Sequence, residues 1–150
     1  MSPEEDAELC NNYPMLFAQR HKDCSVTCMC WGFSCDSGWF HIINTLSAEL
    51  ENLNKNITGG KIEASQVKEK FGGLRFYIGS CPTEISDKVD KLIDKAQHLS
   101  YKTCEICGSS GKLRDWGWCK TLCDKCWYDF KKERPDVVDK LRKKKTGSRI

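Results

Sequence analysis

Little histidine, little proline and no long apolar run distinguish this 150-residue chain. Without a stretch of about 20 apolar residues, no membrane-spanning helix is expected. Four prolines and no Gly-, Ser- or Pro-rich tract leave no flexible linker, and no internal repeat is visible. A phosphate-binding loop, a dinucleotide fingerprint and a G-x-S-x-G elbow are all missing. The opening residues, Met1-Ser-Pro-Glu-Glu-Asp6, have neither the basic nor the apolar region of a secretory signal.

Cysteine, by contrast, is abundant. Eleven thiols, an odd number clustered in C-x-x-C form, argue against a secreted disulfide scaffold and for a reducing cytoplasm. Hydrophobic content of 39% is low, although 10% aromatics and five Trp compensate. Such a chain buries a modest core that one or two metal ions would reinforce. Net charge is +3, unevenly placed. Residues 131–150 carry nine Lys or Arg against three Asp or Glu, whereas the preceding 130 carry fifteen against eighteen. A basic tail on a slightly acidic body suits either phosphate contact or a solvated helix end.

The strongest motif is Cys104-Glu-Ile-Cys107-Gly108 followed by Leu122-Cys123-Asp-Lys-Cys126, two C-x-x-C pairs fifteen residues apart. A C-x-x-C turn brings two thiolates to one ion, and a second pair closes a tetrahedron. The expectation is one structural zinc on Cys104, Cys107, Cys123 and Cys126. A redox pair or two disulfides are the alternatives. Gly108 fits a position of positive φ. Between the pairs, Lys112–Asp115 and Trp118–Leu122 read as a hairpin turning at Trp116-Gly117. The second pair opens a helix, Asp124–Glu133, with Trp127 and Phe130 inward. Knuckle, hairpin, helix is the treble-clef order. Nuclease versions of that unit add His and Asn beside the hairpin to hold a catalytic metal. Here the histidines are His21, His41 and His98, all outside it, and a four-thiolate site has no open position for water. The unit therefore reads as structural, and Cys119 as a hairpin side chain.

The rest of the chain reads as an α+β body over residues 1–101, with the zinc-binding unit and its basic tail over 102–150. Ser2 caps a first helix that ends before Tyr13-Pro14. Leu16 and Phe17 look like core. The segment 23–37 is irregular, and two readings compete: a second metal site on Cys24, Cys28, Cys30 and Cys35 with His21 or His41 as a further ligand, or inert core thiols around Trp31 and Phe33. A helix capped by Asp36 or Ser37 follows, with Trp39, Ile42, Ile43, Leu46, Leu50 and Leu53 on its apolar stripe and Asn44, Glu51, Asn52 and Lys55 opposite. Next, Lys61–Phe71 and Leu74–Ile78 form a hairpin turning at Gly72-Gly73. Leu74, Phe76 and Ile78 point inward, so Lys68, Lys70, Arg75 and Tyr77 share the other face, a binding surface or a merely solvated one. A second long helix carries Ile85, Val89, Leu92, Ile93, Ala96 and Leu99. Pro135 starts a last helix through Val137, Val138 and Leu141, expected to fray into Arg142–Lys145.

Cys30-Trp-Gly-Phe33 with Asp36-Ser-Gly-Trp-Phe40, the block Gln66–Tyr77, and Thr103-Cys-Glu-Ile-Cys-Gly108 with Thr121-Leu-Cys-Asp-Lys-Cys126 together resemble a group of small proteins of tailed phages and prophages. The likeness spans roughly residues 28 to 127. It implies a phage-type gene acting in the host bacterial cytoplasm, with no activity or functional residue to carry over.

The expected architecture is therefore two amphipathic helices on a small antiparallel sheet, fused to a treble-clef-like four-cysteine zinc unit. The leading functional expectation is a non-enzymatic binding protein engaging a host protein or nucleic acid. Lys140, Arg142, Lys143, Lys144 and Lys145 join Lys68, Lys70, Arg75 and Tyr77 as the candidate surface. A counter-defence protein that sequesters a nucleotide signal, with Tyr77, Arg75 and Trp31 lining its pocket, is the alternative. A third is a hydrolase using a thiol or the 24–35 cluster.

Overall fold

A computed structural model describes the backbone of residues 1–147 and the side chains of residues 1–143. The described residues form an α+β structure with five α-helices and two small sheets. Among the described residues no helix is long and apolar enough to cross a membrane.

Helix α1 spans Pro3–Asn12, entered through a reciprocal capping box between Ser2 and Glu5. After the irregular segment comes strand β1, Phe33–Ser34. A tight turn over Ser37–Trp39 leads into α2, Phe40–Asn56. Asp36 takes the N-cap position of that turn, as expected, but its side chain makes no capping bond: the carboxylate faces Lys120, and the Ser37 hydroxyl donates to Glu5. Glu51, expected on the wet face, is buried. Its carboxylate accepts the backbone N–H groups of Met15 and Leu16 at 3.1 and 2.8 Å, which fixes the turn after Pro14 against the helix.

Strands β2 (Glu63–Lys70) and β3 (Gly73–Ser80) form the expected hairpin, with Val67 opposite Phe76 and Lys68 opposite Arg75. The sheet is mixed rather than antiparallel, because β1 adds to β2 in parallel at Phe33 and Val67. The turn also lies one residue earlier than expected. Its two residues are Phe71 (φ 55°) and Gly72 (φ 77°), both left-handed, while Gly73 belongs to β3. Packing explains the shift: a Cβ on Gly73 would stand 2.4 Å from the Tyr101 ring, so the glycine is needed within the strand.

Helix α3, Ser86–Ser100, lies against α2 and β3. One core joins Leu9, Leu16 and Phe17 to Trp39, Ile43 and Leu50 of α2, Val67, Leu74 and Phe76 of the sheet, and Val89 and Ala96 of α3. Leu99, expected in that stripe, is 47% exposed and borders a shallow groove between α2 and α3.

Beyond α3 come β4 (Lys112–Asp115), β5 (Cys119–Leu122), α4 (Asp124–Glu133) and α5 (Pro135–Gly147). Within the described backbone α5 runs past the point at which fraying was expected.

Candidate metal centre

The Sγ atoms of Cys104, Cys107, Cys123 and Cys126 all lie within 4.8 Å of one another, and those of Cys107 and Cys123 are 3.7 Å apart. A tetrahedron with metal–sulfur bonds of about 2.3 Å has edges of about 3.8 Å. Four cysteines so placed can hold a metal ion such as zinc. Local structure brings them there. The Gly108 N–H closes the first knuckle onto the Cys104 carbonyl at 2.9 Å, and Gly108 takes φ 75°, as the motif required. Cys123 is the N-cap of α4, and its sulfur accepts the Cys126 N–H at 3.3 Å. Hydrogen bonds from Ser109, side chain and backbone, hold the Cys107 thiol down to about 6, whereas burial raises Cys104 and Cys126.

No family model, curated protein or solved structure matches the chain. The surroundings of the centre therefore bear on what it does.

Those surroundings are the body. Segment 36–39 lies directly on the first knuckle. The Gly38 N–H donates to the Glu105 carbonyl at 2.7 Å, and a Cβ on Gly38 would fall 2.2 Å from the Cys104 carbonyl oxygen, so no larger residue fits. The Trp39 indole donates to the Thr103 carbonyl at 2.9 Å. Glu105, only 2% exposed, receives Lys120 Nζ at 2.8 Å and the Asp36 N–H at 3.3 Å. Burial raises the Glu105 pKa despite the lysine beside it. The Lys120 pKa is raised too, because Glu105 and Asp36 outweigh its own burial. On the far side the Thr121 hydroxyl donates to the Gly72 carbonyl at 2.6 Å, joining β5 to the β2–β3 turn.

The cluster at 24–35 is different. Cys24 and Cys30 are joined as a disulfide, so neither sulfur is a thiolate ligand. Cys28 is exposed and Cys35 buried. Burial first, then the nearby Glu105 charge, pushes the Cys35 thiol up to about 12, which keeps it neutral. The second-metal expectation on Cys24, Cys28, Cys30 and Cys35 is corrected accordingly: the only thiol cluster of metal-binding geometry among the described residues is that at 104–126. The core-thiol reading also fails except for Cys35, since Cys24 and Cys28 are exposed and Trp31 is 74% exposed. A disulfide is uncommon in a reducing cytoplasm.

On the sheet, Lys68, Lys70, Arg75 and Tyr77 share the outward face as expected, with Lys68 Nζ 5.5 Å from the Tyr77 ring. Arg75 is partly committed, donating to Tyr101 Oη at 3.1 Å and to the Leu74 carbonyl. Trp31 stands apart, bordering a cavity of about 420 Å³ with Arg20 and His21 that neither Arg75 nor Tyr77 reaches. The three residues expected to line a nucleotide pocket are thus not brought together.

Lys140, Arg142 and Lys143 lie exposed on α5. The side chains of Lys144 and Lys145 lie outside the described residues. Sequence reasoning missed the row of cations over rings on the metal unit. Trp116 stacks on Trp127 at 5.3 Å, Arg114 and Lys131 sit 5.7 and 5.3 Å from the Trp127 ring, and Lys132 lies 4.4 Å from Tyr128. The recurrence of Lys and Arg three to five residues from each aromatic of α4 was its signal.

Proposed function

We propose that the chain is a non-enzymatic binding protein, stabilised by one zinc ion in a treble-clef-like unit, that engages nucleic acid. The observation carrying this reading is the row of cations over rings on α4, continued by Lys140, Arg142 and Lys143 on α5. Cations layered on aromatics supply phosphate contact and planar surface together. Knuckle, hairpin and capped helix in that order favour the treble clef, and four thiolates favour zinc in a closed, structural role. The proposed setting is that of the phage-type proteins the sequence resembles: a bacterial cytoplasm and a partner belonging to the host.

The test is binding to nucleic acid across a salt series, with elemental analysis of the same sample. One zinc per chain and a steep linear fall of log affinity with log salt are expected, and deleting residues 140–150 should flatten the slope by about 0.7–0.9 per lost phosphate contact. Absence of binding, or binding indifferent to salt, overturns the reading.

A further inference from the structure

Two hairpin turns meet at one cleft of about 320 Å³. The β2–β3 hairpin contributes Lys68, Lys70 and Phe71, and the β4–β5 hairpin contributes Gly117, Trp118 and Cys119. That volume is at the small end of the range for ligand sites, about 300–1,000 Å³. Phe71 is 67% exposed and Trp118 64%, so the cleft presents two large aromatic rings to solvent.

Folding does not account for Phe71. Its φ of 55° lies in the left-handed region, which costs a residue with a Cβ about 1–2 kcal/mol and which Gly or Asn enters more readily. Its ring adds nothing to the core. An exposed aromatic on strained backbone, held in place by its surroundings, is a feature of binding sites. The surroundings do hold it: Gly72 donates to the Glu69 carboxylate at 2.6 Å and accepts from Thr121, while Leu113 packs against Gly72. Opposite, the Gly117 N–H is tied to Asp115 at 2.9 Å. Both turns are therefore fixed before any ligand arrives.

The charge around the rings selects the ligand. Lys70 Nζ lies 5.4 Å from the Phe71 ring and Lys68 Nζ 5.5 Å from Tyr77; neither makes an ion pair with a carboxylate among the described residues. Glu69, the one carboxylate at the cleft, is engaged by the backbone of its own turn. Exposed rings beside unpaired cations match a chain of flat bases joined by phosphates. The bases must be unpaired, because a cleft this size admits a base but not a duplex.

We propose that this cleft is a stacking site for unpaired bases of single-stranded nucleic acid, with Phe71 and Trp118 taking base faces and Lys68 and Lys70 the flanking phosphates. The inference rests on the nucleic-acid reading above and deepens it: the α4–α5 surface supplies general phosphate affinity, and the cleft supplies preference for single strands.

The zinc-loaded full chain is titrated with an oligothymidylate of about twelve nucleotides, within the usual range of single-strand sites, and separately with a duplex of equal length. Trp118→Leu and Phe71→Asn are each expected to weaken oligothymidylate binding about tenfold while leaving the duplex unchanged. Trp118 is exposed and Asn suits the backbone at position 71, so both variants should fold. Binding of oligothymidylate should quench the fluorescence of the wild-type chain more than that of Trp118→Leu. If both variants bind oligothymidylate like the wild type, or lose duplex binding equally, the cleft is not a base site, although the nucleic-acid reading survives. If the wild type binds neither ligand, both readings fall, and the exposed rings are left to a protein partner.

Discussion

The body and the metal unit are similar in their share of aromatic residues and unlike in how they are held. The body encloses Trp39, Leu50, Phe76 and their neighbours in one apolar core. Beyond residue 102 the buried apolar side chains among the described residues are Cys104, Trp116, Leu122 and Val137, and α4 buries none. Apolar burial contributes about 25 cal/mol per Å², so a unit this thin gains little from it. What holds it instead is polar contact with the body and, on the reading proposed above, an ion shared by the four cysteines gathered at one point. The lesson is that aromatic content does not measure core: the metal unit leaves Trp118 and Tyr128 on the surface, where they are available to a partner.

The sharpest way to break the comparison is to remove the zinc proposed for the four-cysteine site. Cys126→Ser, or a strong chelator, should release stabilisation on the order of 10 kcal/mol attached to a structural zinc. Amide exchange should then rise steeply across residues 104–143 while α2 and the β2–β3 hairpin stay protected. Uniform exchange across the whole chain would mean that the two regions share one cooperative unit. Leu50→Ala, by contrast, should cost about 2–5 kcal/mol wherever the ion is, read by denaturant unfolding with and without chelator.

An effect comparable to that of Leu50→Ala probes the seam. Lys120→Met leaves Glu105 buried without its cation and should cost about 3–5 kcal/mol, whereas Glu105→Gln with Lys120→Met should recover most of it. A thermal-melt double-mutant cycle measures both. The pH dependence has a definite sign. Glu105 has a raised pKa in the folded chain, so its contribution is greatest while it is protonated and declines as pH rises through that pKa. Lys120, also raised, contributes below its unfolded pKa and loses its share as pH rises through the folded value. Without Lys120, the decline over the carboxylate range should steepen. A seam indifferent to pH in both proteins would show that the pair contributes nothing. Smallest of all, Phe71→Asn should raise stability by about 1 kcal/mol through relief of the left-handed backbone, visible as a slightly higher Tm.

Much of this was legible because it is local. Spacing alone located the thiol cluster, Ser2 and Pro3 located α1, and the period of apolar residues located α2 and α3. What was not legible depends on contacts between distant segments. Glu51 looked like a wet-face residue because periodicity carries no knowledge that the loop after Pro14 has backbone donors to satisfy. The hairpin turn was displaced because Gly73 answers to Tyr101, far along the chain, rather than to its own turn. Nothing local marks Glu105 and Lys120 as partners, or reveals that Asp36 completes their network. In segment 24–35, spacing held four thiols open to two readings, and neither contained the Cys24–Cys30 bond.

The seat of Gly38 beneath the first knuckle has a consequence in time. A growing chain emerges from the ribosome N-terminus first, at about 5–20 residues per second, and domains tend to fold in that order. Gly38, Trp39 and the body core are all made before Cys104 exists. When the knuckle emerges, the residues of the surface it must match have already been made, so the earlier part of the chain can act as the mould on which the four cysteines are gathered.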